Sequence, residues 1–138
     1  MSDVPVKDLT ISGRDYFKLL YDEHVDAEAE WLRRGAIEKV NSIERLLRKR
    51  CIRPTTLLEL GCGTGAVILE CQKRGLAERY IAADYSEEAI QYLKRHAPNI
   101  ETRCTDITVP GAFNGQADVV ILSHVLEHLE TPAYFLQS

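Results

Sequence analysis

The sequence predicts an α/β fold built on a doubly wound parallel sheet. Short apolar runs alternate with helix-patterned segments, the order that gives parallel strands joined by right-handed crossovers. One such run, Leu57-Leu58-Glu59-Leu60, meets a turn with glycines at alternating positions, Gly61, Gly63 and Gly65, and a helix-like segment begins at Ala66. Polar residues capable of chemistry follow each apolar run at its carboxyl end, which is where ligands sit in open parallel sheets.

A chain of 138 residues is one domain by default. Its 45% hydrophobic and 28% charged content is ordinary for a globular protein. The formal net charge of -4 and pI near 5.6 argue against binding nucleic acid or an anionic membrane through bulk charge. No apolar run approaches the length of a membrane span, and Met1-Ser2-Asp3-Val4-Pro5 lacks a charged-then-apolar signal pattern. Cys51, Cys62, Cys71 and Cys104 form no Cys-x-x-Cys pair. They read as reduced, mostly buried residues and neither as a disulfide frame nor as a zinc site, which implies a cytoplasmic setting.

Taken in order, residues 1–13 read as an extended lead-in and 14–24 as a short helix carrying Tyr16, Phe17, Leu19, Leu20 and Tyr21. A longer helix is expected over 27–50, where Leu32, Ala36, Val40, Ile43 and Leu47 form one stripe at steps of three and four. Glu30 with Arg34 and Glu44 with Arg48 are i,i+4 pairs, and Arg48-Lys49-Arg50 suits the negative end of the helix dipole. Gly35 costs that helix about 1 kcal/mol against alanine and offers a place to bend. Pro54 divides the chain into N-terminal helices, 1–53, and a core, 54–138. The first strand is 55–60. The helix after the glycine turn stops at Gly75, a suitable C′ residue. A second strand from Arg79 ends at Asp84; Ser86 caps the next helix with Glu87 and Glu88 in its first turn, and that helix ends near His96, ahead of Pro98. The third strand is 100–104, followed by Asp106. A loop with Pro110, Gly111 and Gly115 leads to a fourth strand, 117–122, apolar on both faces as an interior strand would be. Pro132 opens a terminal helix.

The glycine turn carries the chemistry. Glycine takes φ > 0 without a Cβ clash and lets a ligand lie against bare backbone. The turn is expected to aim the following helix's free N–H groups outward, at a polar or anionic group. Its spacing is G-x-G-x-G, whereas dinucleotide folds read G-x-G-x-x-G. Glu59, just before it, would repel a pyrophosphate and suit an ammonium or a sulfonium. Asp84 follows at the roughly 20-residue offset at which an acid meets ribose hydroxyls.

With these residues the chain resembles the class I S-adenosylmethionine-dependent methyltransferases over about 55–135. Glu59-Leu60-Gly61-Cys62-Gly63-Thr64-Gly65 is similar to that family's first motif, Asp84 to its second-strand acid, and Asp106 to its third-motif acid. Val125-Leu126-Glu127-His128-Leu129 resembles the segment after strand four in its small-molecule branch. The resemblance implies a Rossmann-like sheet of order 3-2-1-4 with N-terminal lid helices, S-adenosylmethionine as cofactor, S-adenosylhomocysteine as product, and a small-molecule acceptor. It implies a cofactor site of Glu59, Gly61, Cys62, Gly63, Gly65, Asp84, Tyr85, Asp106, Ile107 and Ser123. In that site Glu59 orders the ammonium through water, Asp84 takes the ribose hydroxyls, Asp106 accepts from the adenine amino group beside Ile107, and Tyr85 packs on the adenosine. Tyr16, Tyr21 and Trp31 either cover the cofactor or pack helix on sheet. His124 and His128 are candidate general bases, the residue type whose ordinary pKa fits that task. The family's sheet has three strands more than the four here, so a truncated chain, or a strand-four edge covered by a second copy or a partner, is expected.

Three other readings compete. His124-Val125-Leu126-Glu127-His128 matches H-x-x-E-H, the inverted zinc-protease signature, although no third ligand is evident. A nicotinamide-dependent oxidoreductase shares the fold class. A scaffold could keep a cofactor fold without catalysis.

Overall fold

The computed structural model describes residues 13–109, 111–130 and 132–137, with side chains from Ala29 onward except those of His128 and Tyr134. The lead-in before Gly13 and the side chains of Tyr16 and Tyr21 lie outside the described residues.

The elements run α1 (Gly13–Lys49), β1 (Thr56–Leu60), α2 (Ala66–Lys73), β2 (Arg79–Asp84), α3 (Glu87–His96), β3 (Glu101–Cys104), β4 (Val119–Leu122), a 3-10 turn (Leu126–His128) and α4 (Pro132–Gln137). Among the described residues no helix is long and apolar enough to cross a membrane. The strands form one parallel sheet of order β3-β2-β1-β4, as the sequence implies.

The two helices expected before Pro54 are one, a continuous α1 of 37 residues. Glu23-His24-Val25-Asp26 holds neither glycine nor proline, so nothing there stops a helix. Gly35 is accommodated in it on an exposed stretch. The expected stripe holds: Ala36, Val40 and Leu47 are buried, with Leu32 and Ile43 packed beside them. Both expected ion pairs form, at 3.3 Å for Arg34–Glu30 and 3.1 Å for Arg48–Glu44. Trp31 is 70% exposed.

α2 ends as expected, with Gly75 at φ 65° and the Leu76 N–H donating to the Cys71 carbonyl. Ser86 caps α3, its Oγ accepting from the Ala89 N–H at 3.2 Å. β3 begins one residue later than expected because the Ile100 amide closes a turn onto the Ala97 carbonyl. β4 begins at Val119, and Asp118 just before it forms a clamp: one carboxylate oxygen accepts from the Thr55 and Thr56 amides at 2.7 and 2.8 Å. β4 is less buried than its apolar run suggests, with Val120 49% exposed at the sheet's edge.

Alternation along the strands divides the core in two. Leu57, Tyr80, Ala82 and Ile121 face α1, α2 and α3 in one cluster. Leu58, Leu60, Ile81 and Ala83 face the other way, against Ile107, Val125 and the half-buried Phe113, Ala117, Leu129 and Phe135.

Candidate functional site

The register brings the expected residues to one level. Leu60 pairs with Ala83 and with Leu122, and Asp84 pairs with Cys104, so Gly61, Asp84, Thr105 and Ser123 all lie at the carboxyl edge. The Thr105 N–H donates to the Asp84 carbonyl at 2.9 Å and carries the ladder one step further toward Asp106.

The three glycines of the turn all have positive φ, 71° at Gly61, 55° at Gly63 and 83° at Gly65. Two of them also admit close neighbours. A Cβ at Gly61 would lie 2.6 Å from Val125 Cγ2, and one at Gly65 would lie 2.6 Å from Leu93 Cδ1.

The turn differs from the expectation in where its amides point. The Gly61 and Cys62 N–H groups both donate to the Ala83 carbonyl, at 2.8 and 3.0 Å. Gly63 N–H donates to Asp84 Oδ2 at 2.8 Å, Gly65 N–H to the Cys62 carbonyl at 2.9 Å, and Ile68 N–H to Glu59 Oε2 at 3.1 Å. These donors are turned inward because two buried carboxyl groups and the end of β2 supply acceptors directly beneath the turn. A phosphate-binding loop aims such donors out. Here Glu59 takes one first-turn amide of α2, that of Ile68.

Both carboxyl groups are buried, Glu59 at 2% and Asp84 at 3% exposure. Burial pushes Glu59 up to about 8, opposed by the Ile68 N–H and by Lys39, and helped by the Asp84 charge. Burial also raises Asp84, against the amides of Ser86, Gly63 and Tyr85. Asp84 Oδ1 accepts from the Ser86 N–H at 2.9 Å and Oδ2 from the Gly63 N–H at 2.8 Å, so backbone amides hold both oxygens. Cys62 is buried within the turn, its thiol donating to the Gly63 carbonyl at 3.4 Å and its pKa pushed well up by burial. All four cysteines are free, but only Cys62 and Cys71 are buried, while Cys51 and Cys104 are exposed.

Asp106 is half-buried, and its Oδ1 accepts from the Thr108 N–H at 3.0 Å and from the Thr108 hydroxyl at 2.6 Å. Ile107 is buried against Val125 beside Gly61, and Tyr85 and Ser123 are half-buried. Val125 and Leu93 shape the turn from opposite sides; Val125 was noted only as part of the segment after strand four and Leu93 not at all, since neither contact with the turn leaves a mark in the sequence.

The fourth strand's residues are less gathered. His124 sits at a bend with φ 55°, its side chain 70% exposed and its Nδ1 3.0 Å from Glu127 Oε1. The His128 side chain lies outside the described residues. The zinc-protease pattern needs both histidines on one α-helical face. Here His124 is left-handed and a 3-10 turn follows it, so that spacing has no helix to act on. Among the described residues no group of three or more metal-ligating side chains occurs.

A family model described as "Methyltransferase domain" matches residues 57–137. The probable S-adenosylmethionine-dependent methyltransferase Rv3030 of Mycobacterium tuberculosis (strain ATCC 25618 / H37Rv) is 30% identical over 115 residues, covering 82% of this chain and 38% of that protein. Among solved structures, the plantazolicin methyltransferase BamL, in complex with a triazolic desmethylPZN analog and SAH, has 18% identity and a TM-score of 0.66 over 90% of this chain and 50% of its own. Magnesium protoporphyrin IX methyltransferase from Synechocystis PCC 6803, with bound SAM, has 15% identity and a TM-score of 0.68 over 94% of this chain and 71% of its own. At those identities the two structures show a shared fold. The chain spans about two fifths of the length of the curated relative and half that of the plantazolicin enzyme. The match over 57–137 runs from β1 through α4 and takes in the glycine turn, both buried carboxyl groups and the Asp106 segment; the chain belongs to the methyltransferase domain family.

Proposed function

We propose that the chain binds S-adenosylmethionine at the carboxyl edge of its sheet and serves methyl transfer to a small-molecule acceptor. The observation that carries this reading is the inward-turned glycine loop with Glu59 and Asp84 beneath it. The chemistry of the site fits the cofactor: its side chains Glu59, Asp84 and Asp106 offer carboxyl acceptors, which match hydroxyls, an amine and an ammonium and mismatch a phosphate. Asp84 would hold the ribose hydroxyls, Asp106 and Ile107 the adenine, and Gly61, Cys62, Gly63 and Gly65 the amino-acid portion against bare backbone. Tyr85 and Ser123 would border the same space. The bound sulfonium supplies an already activated methyl group, so these residues orient and shield more than they activate. For a hydroxyl acceptor His124 is the base, its exposed ring open to a substrate arriving from solvent. The names of relatives acting on plantazolicin and a magnesium porphyrin support a small organic acceptor, as does the net charge of -4.

The N-terminal half of α1 is read as the lid, and the free cysteines support a reducing, cytoplasmic compartment. A second reading, cofactor binding without catalysis, is favoured by the exposed edge at Val120, along which a second copy or a partner would pair. Calorimetric titration with S-adenosylhomocysteine tests the main reading. Wild type is expected to bind and Asp84→Asn to lose at least tenfold in affinity; absence of binding in wild type would overturn it. Binding by wild type without turnover on any of a panel of hydroxyl, amine and thiol acceptors would select the second reading.

A further inference from the structure

The end of α1 carries a surface that methyl transfer does not use. Five of the chain's 17 lysines and arginines fall between Arg45 and Arg53, a stretch with no acidic residue. Arg45, Leu46, Lys49 and Arg50 are linked as i,i+3 and i,i+4 neighbours, and all four are exposed. The helix then stops at a left-handed residue, Cys51 at φ 52°. The Cys51 N–H donates to the Arg48 carbonyl at 3.1 Å and the Ile52 N–H to the Leu47 carbonyl at 2.9 Å. That closed turn keeps Ile52 and Arg53 at the same helix end, both exposed. Glu44, the acid just before the stretch, is taken by Arg48 at 3.1 Å and Arg74 at 3.4 Å. Among the described residues Arg45, Lys49, Arg50 and Arg53 have neither an ion pair nor a side-chain hydrogen bond. The helix dipole accounts for cations in the last turn. It accounts neither for Arg53, which lies beyond the helix, nor for Leu46 and Ile52, which stand 60% and 43% exposed among the cations.

We propose that the end of α1 is a docking surface for a membrane rich in anionic lipid, with the four unpaired cations on headgroups and Leu46 and Ile52 entering the acyl boundary. Charge complementarity and the interleaved apolar side chains select that occupant. Nucleic acid would take the cations, but the stretch offers no aromatic face to a base and would leave Leu46 and Ile52 in water. A stable protein interface takes about 20 residues a side, more than this helix end supplies. The acidic remainder of the chain does not prevent docking, because charges farther than about 8 Å from the headgroups are screened at physiological salt. Arg53 stands just before β1, so the surface lies at the amino edge of the sheet, opposite the glycine turn. Docking therefore holds the protein at a bilayer with its carboxyl edge turned away, and it does not present a lipid to that edge.

Cosedimentation of the full chain with vesicles tests this, one set of phosphatidylcholine alone and one with about a third phosphatidylserine. At about 0.1 M salt, partition onto the anionic vesicles is expected to exceed that onto the neutral ones at least tenfold, and to be lost at about 0.5 M. Lys49→Gln with Arg50→Gln is expected to weaken partition by more than tenfold, about fivefold for each cation. Leu46→Gln with Ile52→Gln leaves the charge unchanged and is expected to weaken it about tenfold. All four side chains are exposed, and thermal melts matching wild type establish that both variants are folded. Absence of binding to anionic vesicles, equal partition onto both vesicle types, or undiminished binding by Leu46→Gln with Ile52→Gln would overturn the proposal. Tighter binding to a single-stranded oligonucleotide than to the anionic vesicles would also overturn it, and would assign the cations to nucleic acid.

Discussion

The two faces of the sheet are covered in different ways. One is roofed by α1, α2 and α3, regular helices that bury Leu57, Tyr80, Ala82 and Ile121 and enclose Glu59 and Asp84. The other is closed mainly by irregular chain, with Ile107, Phe113, Ala117, Val125 and Leu129, and by Phe135 of the short α4. The glycine turn lies where the two covers meet. Leu93 of α3 packs against Gly65 from the helical side, and Val125 packs against Gly61 from the irregular side. The helical face fixes the frame and its charges.

The largest expected effect belongs to the charge buried on the helical face. Glu59 binds its proton more tightly folded than unfolded, so between its ordinary pKa and about 8 the native state holds more protons and stability falls as pH rises. The span corresponds to about 5 kcal/mol. Urea unfolding of Glu59→Gln over that range is expected to show a shallower decline than wild type; parallel curves would mean that the helical face holds its carboxyl at no cost. Next comes packing. Leu57→Ala, on the helical face, is expected to cost about 3 kcal/mol and Leu122→Ala, on the irregular face, about 1 kcal/mol. Equal losses in denaturant melts would erase the distinction between the covers. Within the turn, Gly65→Ala drives a Cβ into a packed helix and should cost about 3 kcal/mol, whereas Gly61→Ala meets a side chain on irregular chain and should cost about 2 kcal/mol. Thermal melts of the pair rank them. The smallest effect concerns Arg103, whose guanidinium donates to Glu101 Oε1 at 2.7 Å and to Gln116 and lies 5.5 Å over the Phe113 ring. Arg103→Met should cost under about 1 kcal/mol, with faster hydrogen exchange confined to the amides near Gln116.

The same contrast explains what could be read before the structure. The helical face was legible because its elements carry their own signals: a 3.6-residue stripe from Leu32 to Leu47, a serine cap at Ser86, a glycine stop at Gly75. Only the join in α1 was misjudged, since a polar interval without glycine or proline continues a helix as readily as it ends one. Ile107 and Val125 cover the other face by long-range packing that leaves no periodicity; Ile107 was placed near Gly61 through the family resemblance alone, and the contact of Val125 with Gly61 was invisible. Within the site, residue positions followed from spacing, and hydrogen-bond direction did not. Glu59 was legible as an acid beside the turn. That its carboxyl takes the Ile68 amide depends on how α2 leaves the turn, which glycine spacing alone does not determine.

Asp118 has a kinetic meaning as well. β1 and β2 are joined through one helix, and so are β2 and β3, but β4 must find β1 across 62 residues of chain. That closure is the longest in the sheet and is expected to come last in folding. A slip of one residue on arrival would turn Ile121 to the wrong face. By seizing the amides of Thr55 and Thr56 together with one oxygen, Asp118 lets the incoming strand dock in a single register, so the step most exposed to error is also the one with a built-in stop.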